Sequence, residues 1–113
     1  MIFGERLKQA RNKAGLSQEN LGIKIGIAPS SASPRINQYE RNRHRPSDQV
    51  IVQLALALGV PTAFFYTEDK NLTKLILQCS QLEAGKQKTL TEYIEKEYGI
   101  KCCAEGKCCI DDI

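Results

Sequence analysis

The stretch Gly4-Glu5-Arg6-Leu7-Lys8-Gln9-Ala10-Arg11-Asn12-Lys13-Ala14-Gly15-Leu16-Ser17-Gln18-Glu19-Asn20-Leu21-Gly22 is punctuated as two short helices meeting at a tight bend. With Phe3 just before it, Leu7, Ala10 and Ala14 fall at i, i+4, i+7 and i+11, the spacing of a single helical face. Gly15 stands where a helix end favours a residue that turns left-handed without a Cβ penalty. Ser17 is placed to cap the next helix with its hydroxyl. That helix, Gln18 to Ile25, carries Leu21 and Ile25 four apart and stops at Gly26.

Outward from this stretch the same rhythm continues. Ala28-Pro29-Ser30-Ser31-Ala32-Ser33 reads as a loop. Ser33 as cap and Pro34 as first helical residue, where a missing N–H costs nothing, predict a third helix with Ile36 and Tyr39 inward and Asn42 as its stop. Pro46-Ser47 announces a fourth helix, Asp48 to Leu58, closed by Gly59, and Pro61 to Tyr66 reads as a short helical turn. Further on, Leu72, Leu75, Ile76, Cys79 and Leu82 form one apolar stripe, and Leu90, Tyr93, Ile94 and Tyr98 another, with Glu83-Ala84-Gly85 between them and Gly99 after them. No segment alternates with period two, so no sheet is expected. The fold class is all-α: five helices, two additional C-terminal helices and a Cys-rich tail. The expected organisation is residues 1–68, 69–99 and 100–113.

The composition is that of a globular chain of 113 residues, 42% hydrophobic and 26% charged, which excludes a disordered or collagen-like protein. No apolar run approaches the roughly 18 residues of a membrane span. Nor does the start of the chain show a basic lead and apolar core of a secretory signal, so a cytoplasmic location with reduced thiols is expected. Charge is distributed unevenly. Arg6, Lys8, Arg11, Lys13, Lys24, Arg35, Arg41, Arg43 and Arg45 outweigh Glu5, Glu19, Glu40 and Asp48 in residues 1–66, whereas acids outnumber lysines beyond them. Every arginine lies in that first part, giving it the bias of a surface that faces a polyanion.

Residues 4–22, together with Arg35-Ile36-Asn37-Gln38-Tyr39-Glu40-Arg41-Asn42-Arg43-His44-Arg45-Pro46-Ser47 and Leu54-Ala55-Leu56-Ala57-Leu58-Gly59-Val60-Pro61, closely resemble the Cro/CI-type helix-turn-helix regulators, the XRE or lambda-repressor-like family. Three blocks in the right order, within residues 3–66, carry the resemblance. It implies a five-helix DNA-binding domain whose third helix reads a double-stranded operator. It also implies that Gln18, at the start of helix two, meets the DNA backbone, and Ser17, the cap of that helix, is grouped with it among the DNA-binding residues. With Ile36 and Tyr39 inward, Ser33, Arg35, Asn37 and Gln38 are left for the outer face, residue types suited to base edges. Arg41, Arg43, His44 and Arg45 form a basic cluster that the resemblance places along the phosphates. Glu40 is an inward or pairing acid. Gly22 stands where the family usually has alanine and would let helix three approach closely. The chain departs from the family by about four extra residues within Ala28–Ser31, a loop that either touches DNA or re-aims helix three.

Helix four, Val50-Ile51-Val52-Gln53-Leu54-Ala55-Leu56-Ala57-Leu58, is apolar nearly all round, as a helix covered on two sides would be. Its second cover is either the C-terminal helices or a second subunit, and a homodimer fits a two-fold operator. Cys102, Cys103, Cys108 and Cys109 cluster around a Gly-containing turn and could hold a soft metal or form disulfides on oxidation, although the spacing is not the usual C-x2-C pair. No paired carboxylates with histidine, nucleophile triad or phosphate-binding glycine motif is present, so neither an enzyme nor a cofactor is expected. The sequence reads as a DNA-binding transcriptional regulator, a phage-like repressor in character. An antitoxin-type interaction module and a metal- or redox-sensing repressor are the alternatives.

Overall fold

A computed structural model describes residues 2–102. Among them are α1 (Ile2–Lys13), α2 (Gln18–Lys24), α3 (Pro29–Glu40), α4 (Asp48–Leu58), a 3-10 turn (Thr62–Tyr66), α5 (Lys70–Ser80) and α6 (Ala84–Tyr98), with no strand. The all-α expectation holds. Contacts divide the chain into two compact units, the first ending at Ser80 and the second beginning at Gln81. The helix α5 therefore belongs with the first five elements, and α6 with the second unit.

Helix boundaries follow local chemistry. Ser17 accepts a hydrogen bond from the Asn20 amide at 2.9 Å and Ser47 one from the Val50 amide at 3.3 Å, each satisfying an otherwise orphaned donor of a first turn. The left-handed glycine after α4, Gly59 (φ 68°), closes it with amide bonds back into its last turn. Asn42 is the one non-glycine residue with positive φ among those described (φ 57°), a conformation asparagine tolerates better than most. Its Oδ1 accepts from the Gly4 amide at 3.0 Å, tying the start of α1 to the end of α3. A side chain at Gly4 would run into the Glu40 carbonyl, so the two backbones meet there directly.

The core of the first unit gathers one face from each helix. Leu7, Leu21, Ile36, Leu54 and Phe65 are fully buried, and Phe3, Ala10, Tyr39, Ile51, Ala55 and Phe64 join them. Phe3 lies 5.1 Å from Phe65 between ring centroids, and Phe65 lies 5.9 Å from Phe64, within the range of favourable aromatic pairs.

Two expectations need correction. First, α3 begins a full turn earlier than Ser33. Pro29, not Pro34, takes the first helical position, Ala28 is the N-cap, and Pro34 sits inside the helix. The Ala28–Ser33 segment is thus helical rather than a loop from Pro29 onward. The reason lies in α2. Gly22 leaves space that Ala32 fills: a Cβ on Gly22 would sit 2.6 Å from Ala32 Cβ, and Ala32 is wholly buried. Burial of Ala32 is available only if the added turn is helical and packed on α2.

Second, the expected stripe on α5 is only partly covered: Ile76 and Cys79 are half-buried, but its leucines turn outward. Thr73 is buried and Leu77 packs against the core, whereas Leu72 and Leu75 are about half exposed. A polar knot sets this orientation. Arg6 of α1 donates to the Thr67 carbonyl (2.9 Å), the Glu68 carbonyl (3.1 Å) and Thr73 Oγ1 (3.2 Å). Its guanidinium also lies over the Phe64 ring at 5.6 Å. In the second unit, α6 has no buried residue, and Tyr93 and Tyr98 are exposed 6.4 Å apart.

Candidate nucleic-acid interface

Helix α3 lies against α2, its most extensive neighbour, and also against α1. Ala32, Ile36 and Tyr39 point into the core, which fixes the helix about its own axis. Ser30, Ser31, Pro34, Arg35 and Gln38 are left exposed. Twelve residues at 1.5 Å each give a rod of about 18 Å, longer than the roughly 12 Å width of a DNA major groove.

The flank between α2 and α3 is a hydrogen-bonded network rather than an open surface. Gln18 Nε2 donates to Asn37 Oδ1 (3.2 Å) and to Glu40 Oε1 (3.1 Å), and Ser33 Oγ donates to Gln18 Oε1 at 3.4 Å. Glu40 is also gripped by Arg11, whose Nε reaches Oε2 at 2.6 Å and whose Nη2 reaches Oε1 at 3.2 Å. Arg11 Nη1 donates further to the Leu16 carbonyl in the bend after α1 (2.9 Å). The two side chains are 11% and 4% exposed, so this two-pronged pair is screened little by solvent, and each charge depends on the other. Glu40 is the inward, pairing acid anticipated.

The proposed contact residues therefore fall into three groups. Arg35 and Gln38 are exposed on α3. Arg41, Arg43, His44 and Arg45 are exposed in the turn that follows, where the His44 ring stacks at 6.2 Å on Tyr39. Ser33, Asn37 and Gln18 are half-buried and bonded to one another, and Ser17 is exposed with its hydroxyl serving as the cap. The expectation that Ser33 and Asn37 lie on the outer face is corrected: both look towards α2. Sequence reasoning missed Ser30, Ser31 and Pro34 as outward residues of α3. The i, i+4, i+7 run of Ala32, Ile36 and Tyr39 carried the signal for them, and the two prolines obscured it.

Of the four tail cysteines, Cys102 is exposed. Cys103, Cys108 and Cys109 lie outside the described residues. No helix among the described residues is long and apolar enough to cross a membrane.

Known proteins resemble this chain. The Helix-turn-helix family model matches residues 7–65, just over half of the chain. The HTH-type transcriptional regulator ImmR of Bacillus subtilis is 32% identical over 80 residues, 67% of this chain and 60% of that protein. A transcriptional regulator in the ATPase CF(0) region of Rhodospirillum rubrum is 35% identical over 65 residues, covering 58% and 56%. The chain thus spans less than two thirds of the length of these relatives. The crystal structure of the transcriptional regulator BswR superposes with a TM-score of 0.75 at 47% identity, over 82% of this chain and 92% of that one. With the family match falling on the helices that build the core and the network around Gln18 and Glu40, the chain belongs to the XRE-type helix-turn-helix family of transcriptional regulators.

Proposed function

We propose that the chain binds a double-stranded operator as a homodimer and represses transcription by occupying it, performing no chemistry. The observation that carries this reading is a run of exposed basic and polar side chains: Arg35 and Gln38 on α3, then Arg41, Arg43, His44 and Arg45 in the turn that follows it. Arg and Gln have the bidentate geometry for guanine and adenine edges, and the cluster beyond supplies positive charge for the phosphates flanking the groove. In this reading Arg35 and Gln38 specify sequence, and the basic turn with Ser17 at the start of α2 positions the domain on the backbone. Ser33, Asn37 and Gln18 hold α3 on α2 and touch DNA only at its edge.

Dimerisation is supported by apolar side chains that the first unit leaves in water. Leu56 is 79% exposed, Val52 49% and Leu75 54%. A second copy covering them would present two α3 helices to two half-sites. Selection of bound fragments from random duplex DNA, followed by footprinting, tests the reading. A two-fold consensus protected over both halves is expected, and failure to enrich any sequence sinks it. The antitoxin-type alternative draws support from Tyr93, Tyr98 and Ile100, all exposed, and predicts a stable heteromer on purification.

A further inference from the structure

Pro34 stands where neither helix formation nor packing accounts for a proline. Pro29 already occupies the first turn of α3, so Pro34 is an interior residue. There its missing N–H leaves the carbonyl four residues earlier, Ser30, without its usual helical donor. Its ring is exposed, so no core contact offsets the loss. The position on the helix is particular. At about 100° per residue, Pro34 lies about 160° around the axis from both Ala32 and Ile36 and about 140° from Tyr39, so it is the crest of the outward face. Its neighbours one turn away are Ser30, Ser31, Asn37 and Gln38, all polar, and all exposed except Asn37, which is half-buried against α2. The crest of an otherwise polar face is thus an apolar ring with no donor and no acceptor.

We propose that Pro34 is a specificity-determining residue that reads thymine, its ring resting on the C5-methyl group of one thymine per half-site. The proposal rests on the reading that the outward face of α3 enters the major groove. Among the base edges displayed in that groove, the thymine methyl is the apolar feature, and apolar contact is how proteins recognise it. Any other edge set against the ring would lose its water without gaining a hydrogen bond, so the same ring selects against cytosine and the purines by exclusion. Ser30, Ser31 and Gln38 surround the ring with groups that can bond the neighbouring base edges.

The test uses the full chain and the duplex it selects from a random pool. Each thymine of that duplex is replaced singly by uracil, which removes the methyl group and nothing else. Wild-type affinity is expected to fall about fourfold at one thymine in each half-site, the transfer free energy of one methyl-sized group, and to be unaffected elsewhere. Pro34→Ser, which puts a polar group where the ring was, is expected to bind thymine and uracil duplexes alike. Because that substitution restores a helix donor, circular dichroism and the denaturant midpoint should show a protein at least as stable as the wild type. Indifference of the wild type to uracil at every position overturns the proposal, as does a fourfold thymine preference retained in Pro34→Ser. Failure of the wild type to select any sequence removes the DNA-binding reading and this proposal with it, whereas a selected sequence without a methyl-sensitive thymine removes this proposal alone.

Discussion

A missing methyl group at Gly22 sets where α3 lies. A Cβ there would come within 2.6 Å of Ala32 Cβ and 2.8 Å of Ala32 Cα, too close for a flexible side chain to swing clear. Gly22→Ala gains about 1 kcal/mol of helix propensity but forces α2 and α3 apart, and a net loss of about 1–2 kcal/mol is expected. The denaturant midpoint measures it, and pairing the change with Ala32→Gly should restore part of the loss if the clash is the cause. Glu40 acts through charge rather than volume. Glu40→Ala strands the buried Arg11 guanidinium and removes an acceptor from Gln18, so a loss of about 3–5 kcal/mol is expected. At this scale the sequence is half legible. The need for a small residue at 22 and the inward role of Glu40 could be read from their places in the motif. Arg11 could not be named as the partner, because nothing local links residues 29 apart in the chain.

The helices themselves were more legible than their edges. Caps at Ser17 and Ser47 and the glycine stop at Gly59 fall where residue chemistry puts them. Helix α3 shows what defeats such reading. Two prolines five apart each offer a plausible start, and local propensity favours the later one because an interior proline is costly. Packing of Ala32 on Gly22 decides for the earlier one, and that contact joins two elements, beyond the reach of a local rule. The same lesson applies to α5, where leucine periodicity points to one face and the hydrogen bonds of Arg6 with Thr67, Glu68 and Thr73 select another. For the proposed interface the expected consequence is a division of labour along α3. Gln38→Ala should weaken binding to the best operator by about 1–3 kcal/mol and relax preference at one base pair, with the unfolding midpoint unchanged. Asn37, whose Oδ1 accepts from Gln18, should behave in the opposite way, Asn37→Ala lowering stability while leaving the selected consensus in place. Selection and denaturation on the two variants separate these roles, and a consensus unchanged in Gln38→Ala would place that residue outside the groove.

At the scale of the first unit, basic and apolar side chains are both left exposed. The arginines that follow α3 are exposed together, so association with duplex DNA should weaken steeply with salt as counterions are released. Arg43→Ala should make the slope of log affinity against log salt shallower by about one, for specific and random duplexes alike. Apolar side chains are exposed as well: Val52 and Leu56 on α4 and Leu72 and Leu75 on α5 are all about half or more exposed. A helix as apolar as α4 with Leu56 79% in water has the composition of a covered element, and the core already takes its other face through Ile51, Leu54 and Ala55. If a second copy covers this face, a charge introduced there must divide the dimer without harming the fold, because Leu56 makes no part of the buried core. Leu56→Glu is therefore expected to sediment as one chain at concentrations where the wild type sediments as two, with an unchanged unfolding midpoint when both are compared as monomers. Its affinity for a single half-site should match the wild type. Its affinity for the full operator should fall by at least an order of magnitude, because the second half-site no longer binds at the high effective concentration that linkage provides. A Leu56→Glu protein that remains two chains would move the interface off α4, and one that binds the full operator undiminished would show that the two half-sites are occupied independently.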